Sequence, residues 1–223
     1  HLAGEAVEPV DLGRLREADL AVVEQVLGEG DVVAHADGDD GVQAQESVFA
    51  GVWRVCHRQG LEAVRDTIEV GAFPRAIAAV ARGEAQPMRP LPDEPPADAP
   101  HAPAVLAGLR RQSQAWLKGR RPPNGGQVFN LSVLPLTAGD SLLFEQWLGR
   151  GRVTVRSRGH GSCRAVNTRV CGVWRITYSN SQDRPILDLL EVGDVPEVAC
   201  AARRDFEDSA ERLAELLQWI EAA

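Results

Sequence analysis

At 223 residues the chain has length for one large domain or two small ones, and for a real hydrophobic core. Its hydrophobic fraction of 44% is ordinary, aromatics make up only 5%, and the formal net charge is -8. That acidity argues against general nucleic-acid binding, which needs a basic surface to displace counterions. No apolar run approaches the ~20 residues that cross a bilayer. Nothing reads as a secretory signal, and the opening on His1 rather than Met points to a truncated or tagged start.

In chain order, a short amphipathic helix is predicted at about 18–27, ending at Leu27-Gly28 where glycine supplies a C-cap at positive φ. Short β segments follow, and Pro74 opens a closing helix. Residues 83–103, "GEAQPMRPLPDEPPADAPHAP", read as a flexible or extended linker rich in proline and acid. The stretch 104–127 reads as a bridging helix and loop. A second short helix is expected at about 139–148, ending at Leu148-Gly149. Then come β segments at 152–158, 163–168, 171–178 and 185–192, separated by turn formers. Connections this short favour an antiparallel meander over a parallel sheet. The last helix, from about 196 to 222, carries an apolar stripe of Leu213, Leu216, Leu217 and Ile220.

The two halves repeat. Residues 24–56 lie without a gap over 145–177: Glu24, Gln25, Leu27, Gly28 and Gly30 match Glu145, Gln146, Leu148, Gly149 and Gly151. Gly51-Val52-Trp53-Arg54 matches Gly172-Val173-Trp174-Arg175, and "IEVGAFP" at 68–74 pairs with "LEVGDVP" at 190–196 after a one-residue slip. The lead-ins align Leu12 and Leu15 with Val133 and Leu136. We read an α+β protein, a tandem duplication of an α-β-β-β-β-α unit with antiparallel sheets. The first repeat spans 10–82 and the second 128–223, joined by the proline-rich linker. Trp53 and Trp174 are expected as core pillars.

Catalytic signatures are missing from this sequence. It holds no phosphate-binding loop, no Gly-x-Ser-x-Gly elbow and no His-Glu-x-x-His helix. Cys56, Cys163, Cys171 and Cys200 form no CxxC pair, which points to a reduced, cytoplasmic protein rather than a disulfide scaffold. Burial is the default for each cysteine. Cys163, beside Arg164 and near His160, is the better thiolate candidate, with Cys200 second.

Charge is more informative. From Gln146 to Gln182 there is no acidic residue, yet Arg150, Arg152, Arg156, Arg158, Arg164, Arg169 and Arg175 all fall there. Period-two alternation puts Arg152, Thr154, Arg156 and Arg158 on one face of a strand, with Val153 and Val155 on the other. This is either a solvated sheet face or a basic docking surface for an acidic partner segment. The matching first-repeat stretch, "DVVAHADGDDGVQAQE", is acidic instead.

The string from Leu148 to Ile220 resembles the C-terminal region of the HupH/HyaF/HoxQ family of hydrogenase expression (maturation) proteins. The carrying motifs are Gly-x-Gly-x-Cys-Arg at Gly159–Arg164, Asn180-Ser181-Gln182-Asp183, Leu190-Glu191-Val192, and Pro196-Glu197-Val198-Ala199-Cys200-Ala201-Ala202. "QESVFAGVWRV" at 45–55 resembles the family's N-terminal part. The chain departs from the family at Arg175, Ile176 and Ser179, where members tend to carry aromatics.

The resemblance implies a non-catalytic, cytoplasmic accessory protein of [NiFe]-hydrogenase maturation. It would be a chaperone that binds the iron–sulfur small-subunit precursor before Tat export, often beside a thioredoxin-like companion, without a cofactor of its own. Nucleic-acid binding and membrane insertion are not expected, and a homo-oligomer is compatible with this reading. Partner-binding candidates are Arg152, Arg156, Arg158, His160, Arg164, Asn180, Ser181, Gln182 and Asp183. The alternative is a redox or cluster-handling protein in which Cys163 and Cys200 hold iron or an iron–sulfur cluster transiently. Two thiols fall short of the usual four ligands, so a second chain or the client would complete the set.

Overall fold

The computed structural model describes residues 7–120, 127–158 and 162–222. The chain divides into two compact units. One runs to Ala78 and includes Val198 onward, and the other is Ala79–Glu197.

The first unit carries β1 (Val10–Asp11), α1 (Glu17–Leu27), β2 (Val32–Ala36), β3 (Val42–Glu46), β4 (Val52–Gln59) and β5 (Glu62–Val70). Its strands form an antiparallel sheet in the order β1-β5-β4-β3-β2. The helix α2 (Arg75–Gly83) begins in this unit and runs into the next. The second unit holds α3 (Ala102–Leu117), β6 (Val128–Asn130), α4 (Ala138–Leu148), β7 (Val153–Ser157), β8 (Ser162–Asn167), β9 (Val173–Ser179) and β10 (Pro185–Val192). Its antiparallel order is β7-β8-β9-β10-β6. A 3-10 turn at Glu197–Ala199 precedes α5 (Arg203–Glu221), which belongs to the first unit.

The expected α+β class with antiparallel pairing is what forms. Both short helices end as their glycines dictate: Gly28 at φ 53 donates to Glu24 O, and Gly149 at φ 58 donates to Glu145 O. Corresponding main-chain bonds recur beyond the helices. Val48 N donates to Leu27 O as Arg169 N does to Leu148 O, and Gly71 N to Gly51 O as Gly193 N does to Gly172 O. The Leu12 and Leu131 amides donate to Asp66 O and Asp188 O respectively.

That last pair corrects the lead-in alignment. Leu131 takes the place of Leu12, both buried, whereas Val133 is 73% exposed. The second unit has two extra residues between this leucine and its helix, so a gapless match slides past the true equivalent. The short fifth strands β1 and β6 were also not expected, because two or three residues carry no readable alternation.

Residues 83–103 are not a loose tether. Met88 and Ala99 are buried in the core of the second unit, with Leu106, Leu109, Leu143, Phe144 and Leu190. Gln86 bridges Val170 by main-chain bonds to both of its neighbours. The Arg89 guanidinium sits 3.9 Å over the Trp147 ring, and the indole N–H of Trp147 donates to Pro90 O. Proline here stiffens an ordered strap rather than freeing a linker.

The last helix departs from the expected boundaries in two ways. It breaks at 200–202, where the Asp205 carboxylate caps the Ala202 N–H. It also belongs to the first unit, not to the repeat at 128–223. Ala201 N donates to Ala72 O, the Phe206 ring lies directly on Gly51, and the Arg212 guanidinium covers the Phe49 ring at 4.9 Å. In the second unit α3 fills the matching place, with Trp116 against Gly172 and its indole N–H on Asp194 at 2.8 Å. Trp53 and Trp174 are both fully buried, as expected of core pillars.

Candidate functional site

Residues directly opposite one another in antiparallel strands project on the same face. In the second unit Arg156 lies opposite Arg164, Arg164 opposite Thr177, Val166 opposite Arg175, and Arg175 opposite Leu190. This arginine face is the reverse of the one holding Ala165, Trp174 and Ile176. Helix α4 borders it and leaves a groove of about 440 Å³. Phe144, Leu148 and Val166 supply its apolar lining, and Arg150, Arg164 and Arg175 its positive charge against Glu145.

The first unit has the same groove, of about 520 Å³, between α1 and its own sheet. Val23, Glu24, Leu27 and Gly28 replace Phe144, Glu145, Leu148 and Gly149, and Arg54 replaces Arg175. In each unit the arginine is tied down. Arg54 donates to Asp66 and to Glu24, each at 2.7 Å. Arg175 donates through Nη2 and Nε to the Asp188 carboxylate at 2.7 and 3.0 Å, which holds its pKa above the ordinary value. Arg54 thereby ties α1 to β4 and β5, and Arg175 ties β9 to β10, roles that were not assigned from sequence. Their signal was present, since Glu24/Glu145 and Arg54/Arg175 are among the few polar residues identical between the two aligned stretches.

Of the predicted partner-binding residues, Arg156 and Arg164 are exposed on the arginine face, and Arg158 is exposed at the far end of β7. Arg152 pairs with Glu84 at 2.9 Å. His160 lies outside the described residues. Asn180 to Asp183 form the tight turn between β9 and β10, at the same end of the sheet as Arg158 and Ser162. The Asn180 side-chain oxygen accepts from Gln182 N and Arg184 N, so this residue shapes the turn. Ser181, Gln182 and Asp183 project from it, exposed, with Asp183 at φ 56.

Burial quiets two of the cysteines. Cys163 is buried and shares a hydrogen bond with Tyr178. Burial pushes its thiol up to about 11, so the neutral form prevails at physiological pH. Burial also raises Cys171, with Asp194 adding to it. Cys163 belongs to the second unit and Cys200 to the first. Among the described residues no group of three or more His, Cys, Asp or Glu side chains gathers as a metal site requires. Among them, too, no helix is long and apolar enough to cross a membrane.

The chain is 41% identical over 95% of its length to the hydrogenase expression/formation protein HoxQ of Cupriavidus necator, covering 73% of that protein. It is 40% identical to the hydrogenase expression/formation protein HupH of Rhodobacter capsulatus, over 94% of this chain and 73% of that one. Against the hydrogenase-1 operon protein HyaF of Escherichia coli identity is 32%, over 96% and 74%. A solved structure of the hydrogenase expression protein HupH from Thiobacillus denitrificans aligns at a TM-score of 0.44 and 29% identity, over 54% of this chain and 95% of that one. The family model of the HupH hydrogenase expression protein, C-terminal conserved region, matches residues 5–91 and 100–220, and the chain belongs to that family.

Proposed function

We propose that this protein is a non-catalytic accessory factor of [NiFe]-hydrogenase maturation. It acts in the cytoplasm as a chaperone or scaffold that holds the iron–sulfur small-subunit precursor before Tat export. Kinship with hydrogenase expression/formation proteins supports the pathway. One observation carries the binding role: an exposed arginine face on the second unit of a chain whose total charge is -8. An acidic protein that concentrates positive charge on one sheet face has a surface suited to steer and orient an acidic client segment.

The two units are further proposed to be copies of one ancestral segment. The matching helix ends, buried tryptophans and tethered groove arginines support that reading. A thioredoxin-like accessory protein is the expected second partner, and no cofactor is assigned to the chain itself.

The test is retention of the precursor by the immobilised chain, with and without its Tat signal. Retention of the immature precursor, and its release once the clusters are in place, is the expected result. Equal retention of mature and immature forms, or no retention of either, would remove the proposal.

A further inference from the structure

The twin grooves allow one to be subtracted from the other. What both contain is structural: the helix leucine and glycine, the helix glutamate, and the arginine held by an aspartate. What differs is not required to build the groove. Arg150 stands where the first unit has Glu29, Arg164 where it has Gln43, and Val166 where it has Gln45. The cross-strand neighbour of Arg164 is Arg156, at the place of His35 beside Gln43.

Two guanidinium groups directly opposite on adjacent strands repel, and the first unit forms the same pairing without that repulsion. The first unit builds its groove with His35 facing Gln43, so a groove of this kind does not depend on an arginine pair at these two positions. The lining charge reverses as a result. Arg150, Arg164 and Arg175 meet Glu145 in the second unit, whereas Arg54 meets Glu24, Glu29 and Asp66 in the first.

We infer that the groove beside α4 is a binding site for an acidic peptide segment. Arg150, Arg164 and Arg156 engage its carboxylates, and an apolar side chain between them settles on Phe144, Leu148 and Val166. A volume of about 440 Å³ accommodates a few side chains of an extended segment and is in the range of specific pockets. Arginine suits the task because its planar fork takes a carboxylate by two parallel hydrogen bonds. The floor adds a requirement that bare negative charge does not meet. This inference rests on the reading that the arginine face of the second unit meets a partner, and it names what that partner must present.

The test uses the full chain and a fluorescein-labelled peptide of glutamates with two central leucines, followed by anisotropy. Binding is expected to weaken at least about tenfold in Arg150→Gln/Arg164→Gln, the loss expected from two charge-assisted contacts. It should change little in Arg203→Gln/Arg204→Gln, which removes the same charge from the exposed start of α5. The converse variant Glu29→Arg/Gln43→Arg/Gln45→Val, which supplies both the charge and the apolar floor, should create a second site and raise the peptide stoichiometry from one to two, a gain that misfolding cannot imitate.

Equal loss in the α5 variant, undiminished binding in the groove variant, or equal affinity for inorganic phosphate or an all-glutamate peptide would overturn the inference. A precursor retained by the chain with no peptide binding would overturn the groove and leave the proposed function standing. Peptide binding without precursor retention would do the reverse.

Discussion

Replacing Gly51 by alanine tests the packing logic of the repeated Gly-Val-Trp-Arg stretch. Gly51 sits at φ 78, and a Cβ placed there would lie 2.3 Å from Cε1 and 2.4 Å from Cζ of Phe206. The left-handed backbone alone costs a non-glycine residue about 1–2 kcal/mol. Forcing a rigid ring out of a filled contact adds about 1–3 kcal/mol. The sum is about 2–5 kcal/mol, against a total stability of about 5–15 kcal/mol for a typical domain.

Gly60 isolates the backbone part, since it sits at φ 60 with nothing within 4 Å of an added Cβ. Gly172→Ala should fall between the two, because its nearest side-chain neighbour, Trp116 Cδ1, is 3.2 Å away. Thermal unfolding followed by circular dichroism should rank the melting points Gly60→Ala, then Gly172→Ala, then Gly51→Ala, from highest to lowest. At about 2–4 °C per kcal/mol for a chain of this size, Gly51→Ala should lose roughly 4–20 °C. In Gly51→Ala/Phe206→Ala the clash disappears, so the two losses should fall short of additivity by about 1–3 kcal/mol. A Gly51→Ala variant no less stable than Gly60→Ala, or strict additivity in the double variant, would refute the reasoning and detach α5 from the repeat motif.

Other expected outcomes follow from single groups. Asp140, fully buried, caps α4 through the Thr137 N–H at 3.0 Å and α3 through the His101 and Ala102 N–H groups at 2.9 and 2.7 Å. Asp140→Ala should therefore cost about 2 kcal/mol in denaturant titration at pH 7, roughly one cap for each helix. Burial works to raise its pKa, but those N–H donors outweigh it and hold it at about 2, below the usual 3.8. The Asp140 contribution should be complete above pH 3.8 and fade as pH falls toward 2.

Glu191 has the opposite sign. Burial raises its pKa, although its carboxylate accepts from Glu197 N at 3.0 Å. Glu191→Gln keeps an acceptor and removes the buried charge, so it should stabilise the protein at pH 8. That advantage should vanish as pH falls through the raised pKa toward the ordinary 4.5. An advantage that grew on acidification would contradict this placement. With its thiol near 11, Cys163 should be about one part in a thousand thiolate at pH 8. Mass-mapped alkylation should leave Cys163 unlabelled in the native protein and label it once the chain is unfolded in denaturant.

The sequence by itself determined the local structure and the kinship. Leucine followed by glycine ended both short helices, turn formers separated the strands, and the doubled Gly-Val-Trp-Arg placed both buried tryptophans. Those features depend on near neighbours and on period, so they are written locally. The motif string also pointed to the family, because its residues recur in order. Tertiary structure alone decided where the distant pieces belong. Whether Phe206 or Trp116 covers a glycine, whether 83–103 floats or straps, and whether Arg175 is spoken for by Asp188 all depend on contacts between residues far apart in the chain. The apolar stripe on α5 reads as a buried face, yet Leu217 and Ile220 are 56% and 51% exposed, and the buried residue of the helix is Ser209. Likewise a run of arginines shows charge without showing which of them holds the fold. Only with both grooves in view does Arg175, held by Asp188 as Arg54 is by Asp66, separate from Arg150, Arg156 and Arg164, whose counterparts in the first unit are not arginines.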